Sequence, residues 1–177
     1  MDEQAALSVV GGLVEAAGDD AAVVDGTVFT IDMLHETTDF PPGTSTYTAG
    51  WRSVGASLSD VAAMGASATA TVAAVGLPEF DEDTLAEYLA GARDVSEAVE
   101  AQYVGGDLDQ HEEFTVATAA LGETERPVSR SGAQPGEIVC VTGTLGRGAA
   151  GVQAFQAGAI GEADRKSTRL NSSHYRT

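Results

Sequence analysis

The sequence predicts an α+β fold, with helices laid on one face of a mixed or antiparallel sheet and the start of a truncated second, α/β domain behind it. Three observations carry that expectation. Elements read in the order helix, hairpin, helix, strand, helix, two strands, which is not the strict alternation of a doubly wound fold. Asp25-Gly26 stands between two apolar runs, a strong short-range hairpin signal. A connector from Pro127 to Gly136 then precedes a fresh apolar run and a glycine-rich turn.

Taken in order, residues 3–17 form a helix with Leu7, Val10, Val14 and Ala17 on one face, broken by Gly18-Asp19-Asp20. Ala21 to Val24 and Val28 to Asp32 are the strands of the hairpin, and Asp39 to Gly43 is a loop. From Ala49 to Met64 the period becomes helical, with Trp51, Val54, Leu58 and Val61 in one stripe. Ala68 to Leu77 is an apolar strand closed by Pro78. The next helix is capped by Asp81, Asp83 or Thr84, and turns Leu85, Tyr88, Leu89, Ala92, Val95 and Val99 inward. Tyr103-Val104 and Phe114 to Leu121 are strands flanking a polar loop, Gly105 to Glu112. Glu137 to Thr142 is a strand in which Cys140 is buried, followed by a helix from about Ala149.

Charge separates the chain into two parts. It has 27 acidic and 9 basic residues, a formal net charge of −18. Four of the bases, Arg165, Lys166, Arg169 and Arg176, lie in the last 13 positions, where no acid occurs. The preceding 164 residues hold five arginines and no lysine. A surface this acidic repels nucleic acid and anionic membranes, and it suits very high intracellular salt, where repulsion is screened over about 3 Å at 1 M. A single cysteine excludes an intrachain disulfide or a multi-cysteine metal site. The N-terminus lacks a basic leader and no apolar run reaches membrane-spanning length, so a cytoplasmic location is expected.

Four acids do not read as ordinary solvated surface: Asp20 at a helix-to-strand turn, Asp32 at the end of an apolar strand, Asp60 within a helix, and Asp107 after Gly105-Gly106. Asp60 lies opposite the apolar stripe of its helix, on a face of small residues, Gly55, Ala56 and Ala63. An ionised carboxylate in such close packing needs a partner. Either a divalent cation or a set of Ser and backbone N–H donors would satisfy it. Hard oxygen ligands suit Mg²⁺, and paired glycines allow a phosphate to approach the backbone. No Walker-type phosphate loop is possible with Lys166 as the only lysine. Gly146-Arg147-Gly148-Ala149-Ala150-Gly151 matches a dinucleotide fingerprint but lacks the following strand and acid. His35, His111 and His174 are too scattered for a zinc site.

Together the segments Gly18-Asp19-Asp20-Ala21, Thr30-Ile31-Asp32-Met33-Leu34, Leu58-Ser59-Asp60-Val61-Ala62-Ala63-Met64-Gly65, Gly105-Gly106-Asp107 and Arg130-Ser131-Gly132-Ala133-Gln134-Pro135-Gly136 resemble thiamine-monophosphate kinases, of the aminoimidazole-ribotide synthetase-like superfamily. The resemblance runs from about Gly18 to Ala157. It implies that Asp20, Asp32 and Asp60 hold Mg²⁺, with Thr30 joining through its hydroxyl and Ile31 through its backbone. Gly106 and Asp107 would contact ATP, Asp107 also through a metal, and Arg130 would bind the nucleotide phosphates. Asp39 stands where the family often has a substrate-contacting histidine. The implied reaction phosphorylates thiamine phosphate with ATP, without an acid or base residue, in a homodimer whose two N-terminal sheets form a shared barrel. A sister activity of the superfamily, or a non-catalytic nucleotide- and Mg²⁺-binding dimerisation module, is the alternative.

The resemblance also divides the chain. Residues 1–131 would be the ATP- and Mg²⁺-binding dimerisation domain, and 132–164 the truncated start of a C-terminal domain. Residues 165–177 resemble adapter-derived read-through at the end of a fragmentary gene, and are expected to be foreign or disordered.

Overall fold

The computed structural model describes residues 1–14, 17–141 and 143–158. The sharp turn at Asp25 (φ 51°) and Gly26 (φ 81°) folds β1 (Ala22–Val24) back on β2 (Thr27–His35), as the Asp-Gly pair predicts. Before them lies α1 (Glu3–Leu13), capped by the Asp2 side chain on the Ala5 N–H. After them come a single turn, α2 (Glu36–Asp39), and the long α3 (Thr46–Ala63), capped by Ser45. β3 (Ser67–Leu77), α4 (Glu82–Glu97), β4 (Gln102–Gln110), β5 (Thr115–Glu123) and α5 (Arg147–Gln156) complete the order. Of the three candidate caps for α4, Asp81 is the one used: its Oδ1 accepts the Thr84 N–H at 2.8 Å.

The sheet order is β1-β2-β5-β3-β4, antiparallel except for β3 and β4, which α4 links as a parallel pair. Both long helices lie on one face, as expected. Ser57 of α3 donates to the Thr118 carbonyl of β5, and Ser96 of α4 shares a 2.8 Å hydrogen bond with Thr71 of β3. Thr71 and Thr118 belong to the face that also carries buried Ala73, Val75, Val116 and Ala120. Between the helices, Gly50 and Gly91 let the backbones touch. A Cβ on Gly91 would stand 2.0 Å from the Tyr47 carbonyl oxygen, and one on Gly50 2.2 Å from that of Tyr88. Tyr88 is buried beneath this crossing against Phe114, which meets Phe40 edge-on.

Several expectations need correction. Gly105 to Gln110, expected as loop, continues β4. Gly106 permits it, because any Cβ there would lie 1.7 Å from the Ala73 carbonyl oxygen on the neighbouring strand. Glu137 to Val141 forms no strand, and Ile138 (87% exposed) and Val139 (92%) stand open, because no neighbouring strand among the described residues pairs with them. Cys140 is therefore exposed, not buried. Leu7 and Val10 of α1, and Val14 just past its end, are exposed as well. On α4 the buried arc is Tyr88, Gly91, Ala92, Val95 and Ser96; Leu89 falls outside it, and Val99 lies past the helix end. Thr142 and residues 159–177, including the expected foreign tail, lie outside the described residues.

Among the described residues nothing covers the other face of the sheet. Phe29, Ile31 and Met33 alternate outward along β2, with Ile31 72% and Met33 60% exposed, and Leu121 sits directly opposite Phe29 on β5.

Candidate cation and phosphate site

Asp60 sits in the last turn of α3, and the end of that helix organises the site. Gly65 (φ 68°) adopts the left-handed conformation that closes α3, and the Ala66 N–H returns to the Val61 carbonyl. The Met64 carbonyl then accepts the Val128 N–H at 2.9 Å, which draws the connector alongside α3. Two residues later, Arg130 reaches the turn before β1.

That geometry brings five of the expected residues together. Thr30 Oγ1 lies 3.0 Å from Asp60 Oδ2 and 3.4 Å from the Asp20 carbonyl oxygen. Asp32 is two residues along β2 from Thr30, hence on the same face, and its charge acts on Asp60. Arg130 binds Asp20 through its guanidinium, an ion pair in which the Asp20 side chain is only 12% exposed and Arg130 48%. Burial, and then the repulsion of Asp32, push the Asp60 carboxyl up to about 6; Thr30 and Arg130 work against this, and Asp20 adds to it. The adjacent Asp19 accepts the Arg130 backbone N–H at 2.8 Å, and this bond, with one from Ser129, holds its carboxyl below the usual range. Ile31 projects its side chain to the open face, which leaves its backbone as the only part turned toward this cluster.

The donor set is all oxygen, clustered and short of compensating cations, which fits a hard divalent ion. Among the described residues no three His, Cys, Asp or Glu side chains converge at ligand distance.

Three expected contributors stand elsewhere. Gly106 and Asp107 lie on β4, the opposite edge of the sheet, three strand spacings from β2, or roughly 14 Å. Asp107 is exposed, its Oδ1 accepting the neighbouring Leu108 N–H. Asp39 is turned inward on its own chain: its Oδ2 accepts the His35 N–H at 2.8 Å and the Thr38 hydroxyl at 2.9 Å, closing the end of β2.

Residues 18–124 match the AIR synthase related protein N-terminal domain. The chain belongs to that family. Among relatives of the AIR synthase related family, the thiamine-monophosphate kinase of Halobacterium salinarum is 68% identical over 158 residues, covering 89% of this chain and 55% of that protein. That of Methanospirillum hungatei is 41% identical over 160 residues, covering 86% and 55%. The solved structure of AaThiL complexed with AMPPCP and TMP superposes with a TM-score of 0.86 at 26% identity, covering 97% of this chain and 59% of that one. This chain therefore spans about half the length of the relatives it matches.

One residue beside the site escaped the sequence reading. Arg52 lies two turns before Asp60 on α3, its guanidinium 5.4 Å from the centre of the Phe40 ring. Its Nε is buried without a hydrogen-bond partner among the described residues, and desolvation lowers its pKa against the pull of Asp39. The only signal in the sequence was that α3 carries a single cation.

Proposed function

We propose that this chain is the N-terminal, cation- and nucleotide-binding part of a kinase that transfers the γ-phosphoryl group of ATP to thiamine phosphate, giving thiamine diphosphate and ADP. The observation that carries the reading is the assembly of Asp20, Thr30, Asp32, Asp60 and Arg130 from four separate sequence segments into one cluster. The names of the relatives point the same way. A terminal phosphate oxygen of thiamine phosphate attacks the γ-phosphorus as the bond to the β–γ bridging oxygen breaks. That nucleophile is already anionic, so no general base is required and alignment dominates. Mg²⁺ held by Asp20, Asp32 and Asp60, with the Thr30 hydroxyl and the Ile31 backbone beside it, would neutralise phosphate charge. Arg130 supplies positive charge for the phosphates, and the acidic walls repel free anions that lack a cation.

Gly106 and Asp107 fit this reading in a homodimer. β1 pairs only with Thr27 to Phe29, which leaves the rest of the β2 edge, with Asp32, without a neighbouring strand among the described residues. β4 is the other free edge. A second copy that joins β4 to β2 closes the two sheets into a barrel over their open faces and carries Asp107 toward Asp32. Asp39 then acts by shaping the end of β2, with substrate contact a secondary role. No helix among the described residues is long and apolar enough to cross a membrane, and a cytoplasmic location is part of the proposal.

The test is thiamine diphosphate formation by a protein of the relatives' full length, with ATP and Mg²⁺ at high salt. Activity that falls by about 10²-fold or more in Asp60→Asn is expected, on the scale of losing a group that organises transition-state charge. Full activity in that variant would overturn the assignment.

A further inference from the structure

Arg130 lies on a connector with no regular structure between Thr124 and Gly146 among the described residues, and almost every side chain of that connector is exposed. Nothing in the connector itself fixes where a long, flexible side chain should point. Three bonds to the rest of the fold do so from outside, the Ser129 bond to Asp19 among them. Val128 N–H is held by the Met64 carbonyl, and Arg130 N–H by Asp19 Oδ1 at 2.8 Å. Asp19 and Asp20 therefore divide one residue between them: Asp19 takes the backbone of Arg130, and Asp20 takes its guanidinium.

We infer that Asp19 is the positioning residue for Arg130, and that Arg130 is a displaceable counter-ion guarding Asp20 until a divalent cation takes that carboxylate and releases the guanidinium to nucleotide phosphate. The inference rests on the kinase reading above. Its physical basis is that a guanidinium and a divalent cation cannot share the same Asp20 oxygen without strong like-charge repulsion. The grip of Asp19 is on main chain, so it does not depend on which partner the side chain has. A side chain anchored at its own backbone swings between two anions without leaving the site. Cation binding at Asp20 and nucleotide binding at Arg130 are then coupled, each favouring the other, as linkage requires.

The coupling gives Asp19 a signature that a merely structural residue lacks. In Asp19→Ala the anchor is lost and Arg130 leaves Asp20. Mg²⁺ measured alone by titration calorimetry is expected to bind about 3- to 10-fold more tightly, an effect of the size of a surface ion pair. Nucleotide measured with saturating Mg²⁺ is expected to bind about 10-fold more weakly, because Arg130 is no longer held in range. Asp19→Asn keeps an oxygen acceptor for the Arg130 N–H and is expected to stay near wild type in both titrations. In an Arg130→Ala background, Asp19→Ala should change neither affinity. Opposite shifts that vanish without Arg130 support the inference. Shifts of the same sign, or shifts that persist in the Arg130→Ala background, overturn it while leaving the kinase reading intact. A full-length wild-type protein that binds neither Mg²⁺ nor nucleotide would instead remove the reading on which the inference rests.

Discussion

Asp60 is held in an ionisation state that its surroundings disfavour. Its carboxyl keeps its proton up to about pH 6, well above the 3.8 of an unperturbed aspartate, chiefly through burial and the neighbouring Asp32. Between these values the folded chain binds more protons than the unfolded one, so stability falls as pH rises from about 4 to 6. Above that window the cost is constant, and below it absent. Asp60→Asn removes the cost and keeps an oxygen to accept from Thr30. After discounting for solvent screening, the cation-free variant should be more stable than wild type at pH 7.5 by about 1–2 kcal/mol. The gain should shrink to nothing below about pH 4. Denaturant unfolding at the two pH values measures it, and Mg²⁺ should stabilise wild type but not the variant. A residue that destabilises the empty fold and is recovered only by a ligand is what a binding site predicts.

At the scale of elements, α3 carries Asp60 only because α4 lets it lie close. The Gly50 and Gly91 contacts leave no room for a methyl group on either side of the crossing. Gly91→Ala should therefore cost about 1–3 kcal/mol through overpacking, despite the better helix propensity of alanine. Urea unfolding would show it, and a neutral or stabilising effect would mean the helices can separate freely. Much at this scale was legible beforehand. The Asp25-Gly26 hairpin, the stripe of Val54, Leu58 and Val61, and the run of β3 each carry a local periodicity that the tertiary fold respects. The start of β4 at Tyr103-Val104 was legible, but its continuation from Gly105 was not, because Gly-Gly-Asp has poor strand propensity and pairs only through the close approach that Gly106 permits. Glu137 to Val141 misled in the opposite sense, since an apolar run is a strand only where a partner strand exists. Of the site, the aspartates were recognised as an ordered set of motifs. Their clustering with Arg130 depends on the Gly65 turn and the Val128 bond, which no local pattern reveals. The stacking of Arg52 on Phe40 is likewise a contact between segments, invisible to any periodicity.

For the whole molecule, the apolar sheet face and the acidic surface act against each other. Phe29, Ile31, Met33 and Leu121 present hydrophobic area that a second copy would cover, and burial of such side chains is worth ~1.5–3 kcal/mol each. Bringing two copies together, each with a formal charge of −18, opposes this by repulsion that extends over about 10 Å at 0.1 M salt but about 3 Å at 1 M. Salt should therefore govern assembly more than it governs the local packing of a protomer. Sedimentation equilibrium is expected to show a dimer at molar salt whose dissociation constant rises as salt is lowered. Ile31→Glu places a new charge at the centre of the open face, where its backbone position on β2 is unchanged. That variant should be monomeric at both salt concentrations while retaining the circular dichroism of the wild-type sheet. In the proposed homodimer Asp107 reaches the Asp32 edge from the second copy, so the same variant should also lose nucleotide affinity without any change to Asp20, Asp60 or Arg130. A monomeric Ile31→Glu protein that binds nucleotide as tightly as wild type would separate the open face from the site, and Asp107 would then have no part in nucleotide binding.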